Sequence, residues 1–485
     1  MKKKYGLFTV LTVLLLLIVV ATYFINGRNG SIAHLALVDV FFNYVQSFYY
    51  FFDTALFILV VGGFYGFLNR VPAYKKLVKN ISTKFEKNSK LFIIITTIIF
   101  AIISSLTGLN LLLLLFVPFI VSIILLLGYD KLVALSTTIG GIIAGLISGI
   151  FLTVKSGSSY YGVSFTSIDK LVGLETHWGN LFPKILLLVV VTGLLVFYII
   201  SHIKKVEAKK VSYKLTKGDN LYVEVKDRQG KLVKVDDKKV KVWPLIVILS
   251  LLLVILVLGY LPWNDLFGIE CFNKFHTWLT GLKIGDYVIF PSLISSTLTG
   301  FGTWSGLGSF MVGIFVLVLL MFITMLIYRI KFEDAMDGFI YGVKKMIPAA
   351  MLAILAYCVL VSSYNNGFLE TIIKAAGEKI GDNVIIHSLL TGLGSLLNVD
   401  MFYTSAGVFT PIVSSLTENA NLSIYAVMFQ SIYGLIQLVG PTSLLLLVGL
   451  TYLEVPYKTW LKYIWRFLLE IIIVILVVLM IVSLL

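Results

Sequence analysis

Asp400 stands in the interruption Gly394-Ser395-Leu396-Leu397-Asn398-Val399-Asp400 of an otherwise apolar stretch, 383–418. A carboxylate inside a membrane is costly and by default marks an ion or substrate path; the competing reading puts it at an interface. Three further interruptions carry polar groups. Ser104-Ser105-Leu106-Thr107-Gly108-Leu109-Asn110 breaks 91–127, and Ser136-Thr137-Thr138-Ile139-Gly140-Gly141 breaks 132–154. The last apolar segment before the C-terminal span carries Gln430-Ser431-Ile432-Tyr433-Gly434 and then Gly440-Pro441-Thr442-Ser443. A helix broken at membrane depth offers free N–H groups and a positive dipole end to an anion, while its open carbonyls suit a small cation. The bland alternative is that Ser and Thr bond back to the i−4 carbonyl and Gly serves close helix packing. The expected binding set is Thr107, Gly108, Asn110, Thr137 and Thr138 in one half. Asn398, Asp400, Ser431, Gln437, Thr442 and Ser443 form the other. Na⁺ near Asn110 and Asp400, or a proton, is the expected coupling ion.

Other chemistries lack their signatures. Two cysteines, Cys271 and Cys358, make neither a disulfide framework nor a metal site. The histidines His34, His177, His202, His276 and His387 are scattered without ligand spacing. His387 reads either as a proton relay or as a hydrogen-bonded packing residue, and Asp53, at the start of a span, as interfacial. No P-loop, GxSxG or HExxH occurs, so no catalytic residue, resident cofactor or ATP-driven step is expected.

The elements that must position these groups follow from composition. Of 485 residues 59% are apolar and only 13% charged, about half the usual charged share, with mean hydropathy +0.98. A water-soluble or disordered chain is excluded. Spans of about 20 apolar residues are predicted at 7–25, 54–69, 184–202, 244–262, 309–328, 347–362 and 466–485. The net charge of +14 sorts by loop: 31 of the 39 Lys and Arg fall on alternating loops, including Arg70–Lys90 and 203–242. The positive-inside rule makes those loops cytoplasmic, with the N-terminus inside a multi-pass cytoplasmic-membrane protein. The basic balance therefore reports bilayer insertion, and no nucleic-acid partner is expected.

The chain also resembles itself. The segment from Asp39 (DVFFNYVQSFYYFFDTALFILVVGGFYGFLNRVPAYKKLVKNI) matches in layout the one from Asp334 (DAMDGFIYGVKKMIPAAMLAILAYCVLVSSYNNGFLETIIKAAGEKI). Pro118 and Gly140 are spaced like Pro411 and Gly434. The charge map orients the copies oppositely, as in secondary transporters built from inverted repeats. The predicted fold is an all-α polytopic membrane protein of about eleven transmembrane helices with two re-entrant hairpins. Residues 1–202 and 244–485 form the halves, joined by a basic cytoplasmic linker, 203–243. Within the linker, Asn220–Val225 and Lys231–Val235 alternate like a β-hairpin around Asp227-Arg228-Gln229-Gly230.

Near the end, Gly440-Pro441-Thr442-Ser443 and Val455-Pro456-Tyr457-Lys458-Thr459-Trp460-Leu461-Lys462 resemble the PTS…VPYxKWLK pattern of the YfcC-like branch of anaerobic dicarboxylate carriers. Phe116-Val117-Pro118 leading to Gly128-Tyr129-Asp130, and Pro262–Ile269, resemble the same family. The resemblance implies the ion-transporter superfamily fold, an elevator-type or rocking cycle, and dicarboxylates, amino acids or peptides as substrates. The chain departs from it where Gly108-Leu109-Asn110 runs into leucines instead of an acidic element, and where Ile432-Tyr433-Gly434 lacks a carboxylate. The expected function is ion-coupled or exchange transport of a small organic anion, amino acid or peptide, by a monomer or homodimer. A membrane enzyme on a lipid-linked substrate, a passive channel and a transport-inactive regulatory protein are the competing readings.

Overall fold

The computed structural model describes residues 6–24, 34–150, 153–156, 164–173, 180–207, 240–260, 263–289 and 309–484. The β-hairpin predicted in the linker lies outside these residues. Helices dominate, in the order α1 (Gly6–Phe24), α2 (Leu37–Leu68), α3 (Pro72–Phe85), α4 (Ser89–Thr107), α5 (Val117–Leu126), α6 (Lys131–Ser148) and α7 (Leu181–Glu207). There follow α8 (Trp243–Tyr260), α9 (Trp263–Phe267), α10 (Cys271–Thr280), α11 (Ser309–Tyr328), α12 (Phe332–Tyr364), α13 (Phe368–Ile380) and α14 (Val384–Leu397). The series closes with α15 (401–414), α16 (Leu422–Gln437), α17 (Leu444–Tyr452) and α18 (Tyr457–Leu484). Among the described residues seven helical stretches are long and apolar enough to cross a bilayer, with shorter apolar helices between them. The protein is an all-α polytopic membrane protein. Two small antiparallel ribbons, Thr153–Ser156 with Ser164–Ser167 and Lys283–Ile284 with Tyr287–Val288, were not signalled by the sequence.

Local chemistry sets the helix ends. Pro72 opens α3, where its missing N–H costs nothing, and Gly108 closes α4 in the left-handed region at φ 66°. Asp130, Asn383, Asp400, Asn421 and Ser443 cap α6, α14, α15, α16 and α17 by accepting from N–H groups of the first turn. Two predicted breaks take another form. Ser136–Gly140 is a π-helical segment that leaves α6 continuous, and Gln430–Gly434 is unbroken helix, the interruption falling at 438–443. Asp53 stands well inside α2, beside a kink at Phe51 (φ −122°, ψ 22°), because the helix begins at Leu37.

The centre of the molecule is an antiparallel crossing of α2 and α12. Asn43 donates to Ser362 at 3.0 Å, the Thr54 hydroxyl meets the Tyr357 hydroxyl at 3.4 Å, and Gly62 and Gly66 meet Gly338 and Gly342. Each helix presents two glycines one turn apart on its contact face, so the backbones touch. A Cβ on Gly342 would lie 2.0 Å from the Gly62 oxygen, and one on Gly66 2.2 Å from the Gly338 oxygen. A second close crossing joins α6 and α16, where a Cβ on Gly434 would lie 2.6 Å from the Ile147 Cα. Small residues of this kind are how helices approach closely in a membrane.

The basic loops gather on one face. Lys76 donates to the Val240 carbonyl, Tyr328 to that of Lys241, and Lys90 pairs with Glu207. Toward the other end of these helices Lys184 forms a buried ion pair with Asp169, which also accepts from Asn180 at 3.1 Å. Asn180 reaches the Ser423 carbonyl as well, so this pair fastens the start of α7 to the start of α16. Removing one partner leaves a bare buried charge, so Lys184→Met should cost about 3–5 kcal/mol. The double change Asp169→Leu with Lys184→Met should recover most of it. Thermal unfolding in detergent checks both.

Candidate functional site

The second hairpin, α14 and α15, carries its tip at residues 398–400. Asn398 there is fully buried, and neither its amide nitrogen nor its oxygen has a partner among the described residues. The tip is fixed from the next helix, because the Thr442 hydroxyl lies 2.9 Å from the Leu396 carbonyl oxygen and 3.2 Å from that of Asn398. A hydroxyl has one proton, so the bond is shared between the two carbonyls. Thr442 sits in the non-helical 438–443 segment, and Ser443, next to it, caps α17. Asn398, Thr442 and Ser443 are therefore brought together. Thr442→Val should lower stability by about 1 kcal/mol and loosen the tip, read as faster amide exchange at 396–400.

The other predicted residues divide. Among the described residues, Gln437, at the end of α16, has a buried amide nitrogen without a partner, and Thr137, in the π segment, a buried hydroxyl without one. Both remain available to a ligand. Ser431 and Thr138 donate to the carbonyls of Val427 and Ala134, four residues back, which is the bland reading. Thr107 does the same to Ile103 and accepts from the Leu109 N–H, shaping the turn with Gly108. Asn110 meets the Ser104 hydroxyl, which donates to the Ile142 carbonyl at 2.7 Å and so pins the first hairpin to α6. Ser105 adds to that pin by accepting from Ser148 and the Ile150 N–H.

Asp400 caps α15, with Oδ1 accepting from the Tyr403 N–H at 3.0 Å. The chain's own carboxylate thus already occupies the N-terminus expected to receive an anion. Around it runs an aromatic wall. Phe51, at the α2 kink, stacks on Tyr357 at 3.8 Å, and Tyr403 presents an edge to Phe51 and to Tyr364. Asp53 and Asp400 both act electrostatically on Tyr357 and Tyr403, which places the two acids at one junction between the α2–α12 pair and the second hairpin. The first hairpin meets the same pair differently. Leu114, Val117 and Pro118 border a pocket completed by Phe57, Ile58, Val61, Met346, Val448, Gly449 and Tyr452, with no charged side chain. That pocket offers nothing to hold a carboxylate, so the polar tip of the second hairpin is the stronger candidate.

Sequence reasoning missed Gln430, whose side-chain oxygen is buried without a partner one residue before Ser431. It also missed the second π segment, Ser405–Phe409 in α15. A glutamine in an apolar span was a usable signal. Nothing in Ser405–Phe409 distinguishes a π turn from ordinary helix.

Interrupted apolar helices that place buried amides beside their breaks are a feature of membrane transporters. The family model described as C4-dicarboxylate anaerobic carrier (DcuC) matches residues 41–484. The chain belongs to the DcuC family of C4-dicarboxylate anaerobic carriers, and is a membrane transporter rather than an enzyme. Among solved structures, the YdaH transporter of Alcanivorax borkumensis, described as having an unusual topology, is similar at 14% identity. The match covers 97% of each chain at a TM-score of 0.39. No individually curated protein matches the chain.

Proposed function

We propose that the protein is a secondary active transporter that moves a C4-dicarboxylate across the cytoplasmic membrane by ion coupling or exchange. Amino acids or peptides of like size are the second substrate class. The observation that carries the site is Asn398, an amide buried at a hairpin tip with both polar atoms unpartnered. Burying such a group without a partner costs about 1–3 kcal/mol, and a ligand that bonds it returns that cost. Gln437, Gln430 and Thr137 extend the set of waiting groups, and Ser443 and Thr442 frame it. Amides and hydroxyls can bind a carboxylate without a formal positive charge, and Na⁺ or a proton would neutralise it. The antiparallel α2 and α12 support an inverted relation between repeats starting near residues 39 and 334. The basic face is then cytoplasmic.

The test is uptake of radiolabelled succinate, fumarate and aspartate into proteoliposomes, with imposed Na⁺ or proton gradients and with counterflow. Accumulation or counterflow above protein-free vesicles is expected. Its absence under every gradient, with folded protein present, would remove the proposal and leave the transport-inactive reading.

A further inference from the structure

A second buried polar cluster lies on the basic face, away from the hairpin tip. Asp130 caps α6 by accepting from the Val133 N–H at 2.8 Å, and its other oxygen lies 3.0 Å from His202 Nε2. Both side chains are more than nine-tenths buried. His202 comes from the last turns of α7, and its ring packs edge-to-face on Tyr463 of α18 at 4.9 Å. The Tyr463 hydroxyl is 3.1 Å from that of Ser136, the first residue of the π segment. Ser136 Oγ donates toward both the Tyr463 hydroxyl and, at 2.7 Å, the Leu132 carbonyl, so its one proton is shared between them. A titratable pair is thereby linked through one tyrosine to the π segment that holds Thr137.

The charges around the pair are known from each packed element. Lys131 neighbours it on α6, and Lys204, Lys205 and Glu207 follow His202 on α7. On α18, Lys462, Arg466 and Glu470 are exposed, and Arg466 and Glu470 act on Tyr198. From α4, Lys90 is engaged by Glu207. Among the described residues, Asp130 and Tyr463 pack against the imidazole. With His202 neutral, the buried charged groups here are the Asp130 carboxylate and the neighbouring Lys131 ammonium. Protonation of His202 therefore changes the charge of this buried cluster by one unit. Nε2–H bonds Asp130, so the incoming proton goes from water to Nδ1, with no other bond broken.

We propose that Asp130 and His202 form a proton-binding site whose occupancy sets the π segment Ser136–Gly140. It is then the point at which a proton gradient acts on transport, a role that rests on the transporter reading above. Proton binding and the response of the π segment can be tested without any substrate. The full-length protein, with ¹⁵N-labelled histidine, has five histidines, and the signal lost in His202→Gln assigns residue 202. Followed from about pH 5 to 8, the His202 signal should respond to the proton, and Asp130→Asn, which keeps the cap, should alter that response. Amide exchange at 136–140 should change about threefold across that range in the natural protein and stay flat in His202→Gln. No response to the proton, an unaltered response in Asp130→Asn, or pH-independent exchange at 136–140 overturns the proposal.

Proteoliposome uptake of succinate then reads the coupling. A pH profile that flattens in His202→Gln supports it, and an unchanged profile overturns the coupling role. If the His202 signal and the π segment respond to pH but the natural protein shows neither gradient-driven uptake nor counterflow, the transporter reading fails and the proton site stands.

Discussion

Replacing Gly342 by leucine should abolish accumulation of folded protein, whereas the same change at Gly193 should leave it intact. A Cβ on Gly342 would sit 2.0 Å from the Gly62 carbonyl oxygen and 3.0 Å from the Gly66 Cα, all backbone of a facing helix, whereas nothing lies within 4 Å of a Cβ on Gly193. Overpacking against mobile side chains costs about 1–3 kcal/mol. Backbone cannot rotate away, so α2 and α12 must separate along their length. That would expose Asn43, Ser362 and Thr54, which bond across the same crossing or beside it. A domain holds only about 5–15 kcal/mol in reserve, and a loss spread along this crossing consumes much of it. Fluorescence-detected size exclusion from detergent extracts reads the result. A monodisperse peak of natural height for Gly342→Leu would show that the helices do not meet as described.

Asn398→Leu is the second large effect, and its two readouts move in opposite directions. Uptake should fall at least about tenfold, equivalent to roughly 1.4 kcal/mol or more of lost binding or transition-state stabilisation. Thermal stability should hold or rise, since leucine has a similar branched shape and removes an unpartnered buried amide that costs about 1–3 kcal/mol. A structural asparagine would behave otherwise, losing stability and activity together. The comparison with Thr442→Val separates binding from positioning, because Thr442 touches the tip only through backbone carbonyls. Its loss should weaken uptake less than that of Asn398. Equal loss in both would put the weight on the shape of the tip rather than on the amide.

Hydropathy alone located most of the helices, because lipid demands apolar side chains over a set length. It placed the start of α2 late, at residue 54, since Asp39 to Phe52 is amphipathic and reads as an approach rather than a helix. The polar interruptions were visible as Ser, Thr, Gly and Asn, but their form was not. The same residue types give a left-handed cap at Gly108, a π segment at 136–140 and an extended tip at Asn398. Which one results depends on what packs alongside, and that is tertiary. The four-residue spacings Gly62–Gly66 and Gly338–Gly342 were legible as two helical notches, but that they fit each other was not. Asp130 and His202 were hidden for a simpler reason. They are 72 residues apart and meet only because α6 and α7 pack together.

The glycine notches also have a consequence for the order in which the molecule is made. Between Leu68, the end of α2, and Phe332, the start of α12, the ribosome must add more than half of the chain. At about 5–20 residues per second, α2 waits on the order of tens of seconds in the bilayer with Gly62 and Gly66 facing no partner. Assembly of the centre is therefore a late event, complete only once α12 arrives.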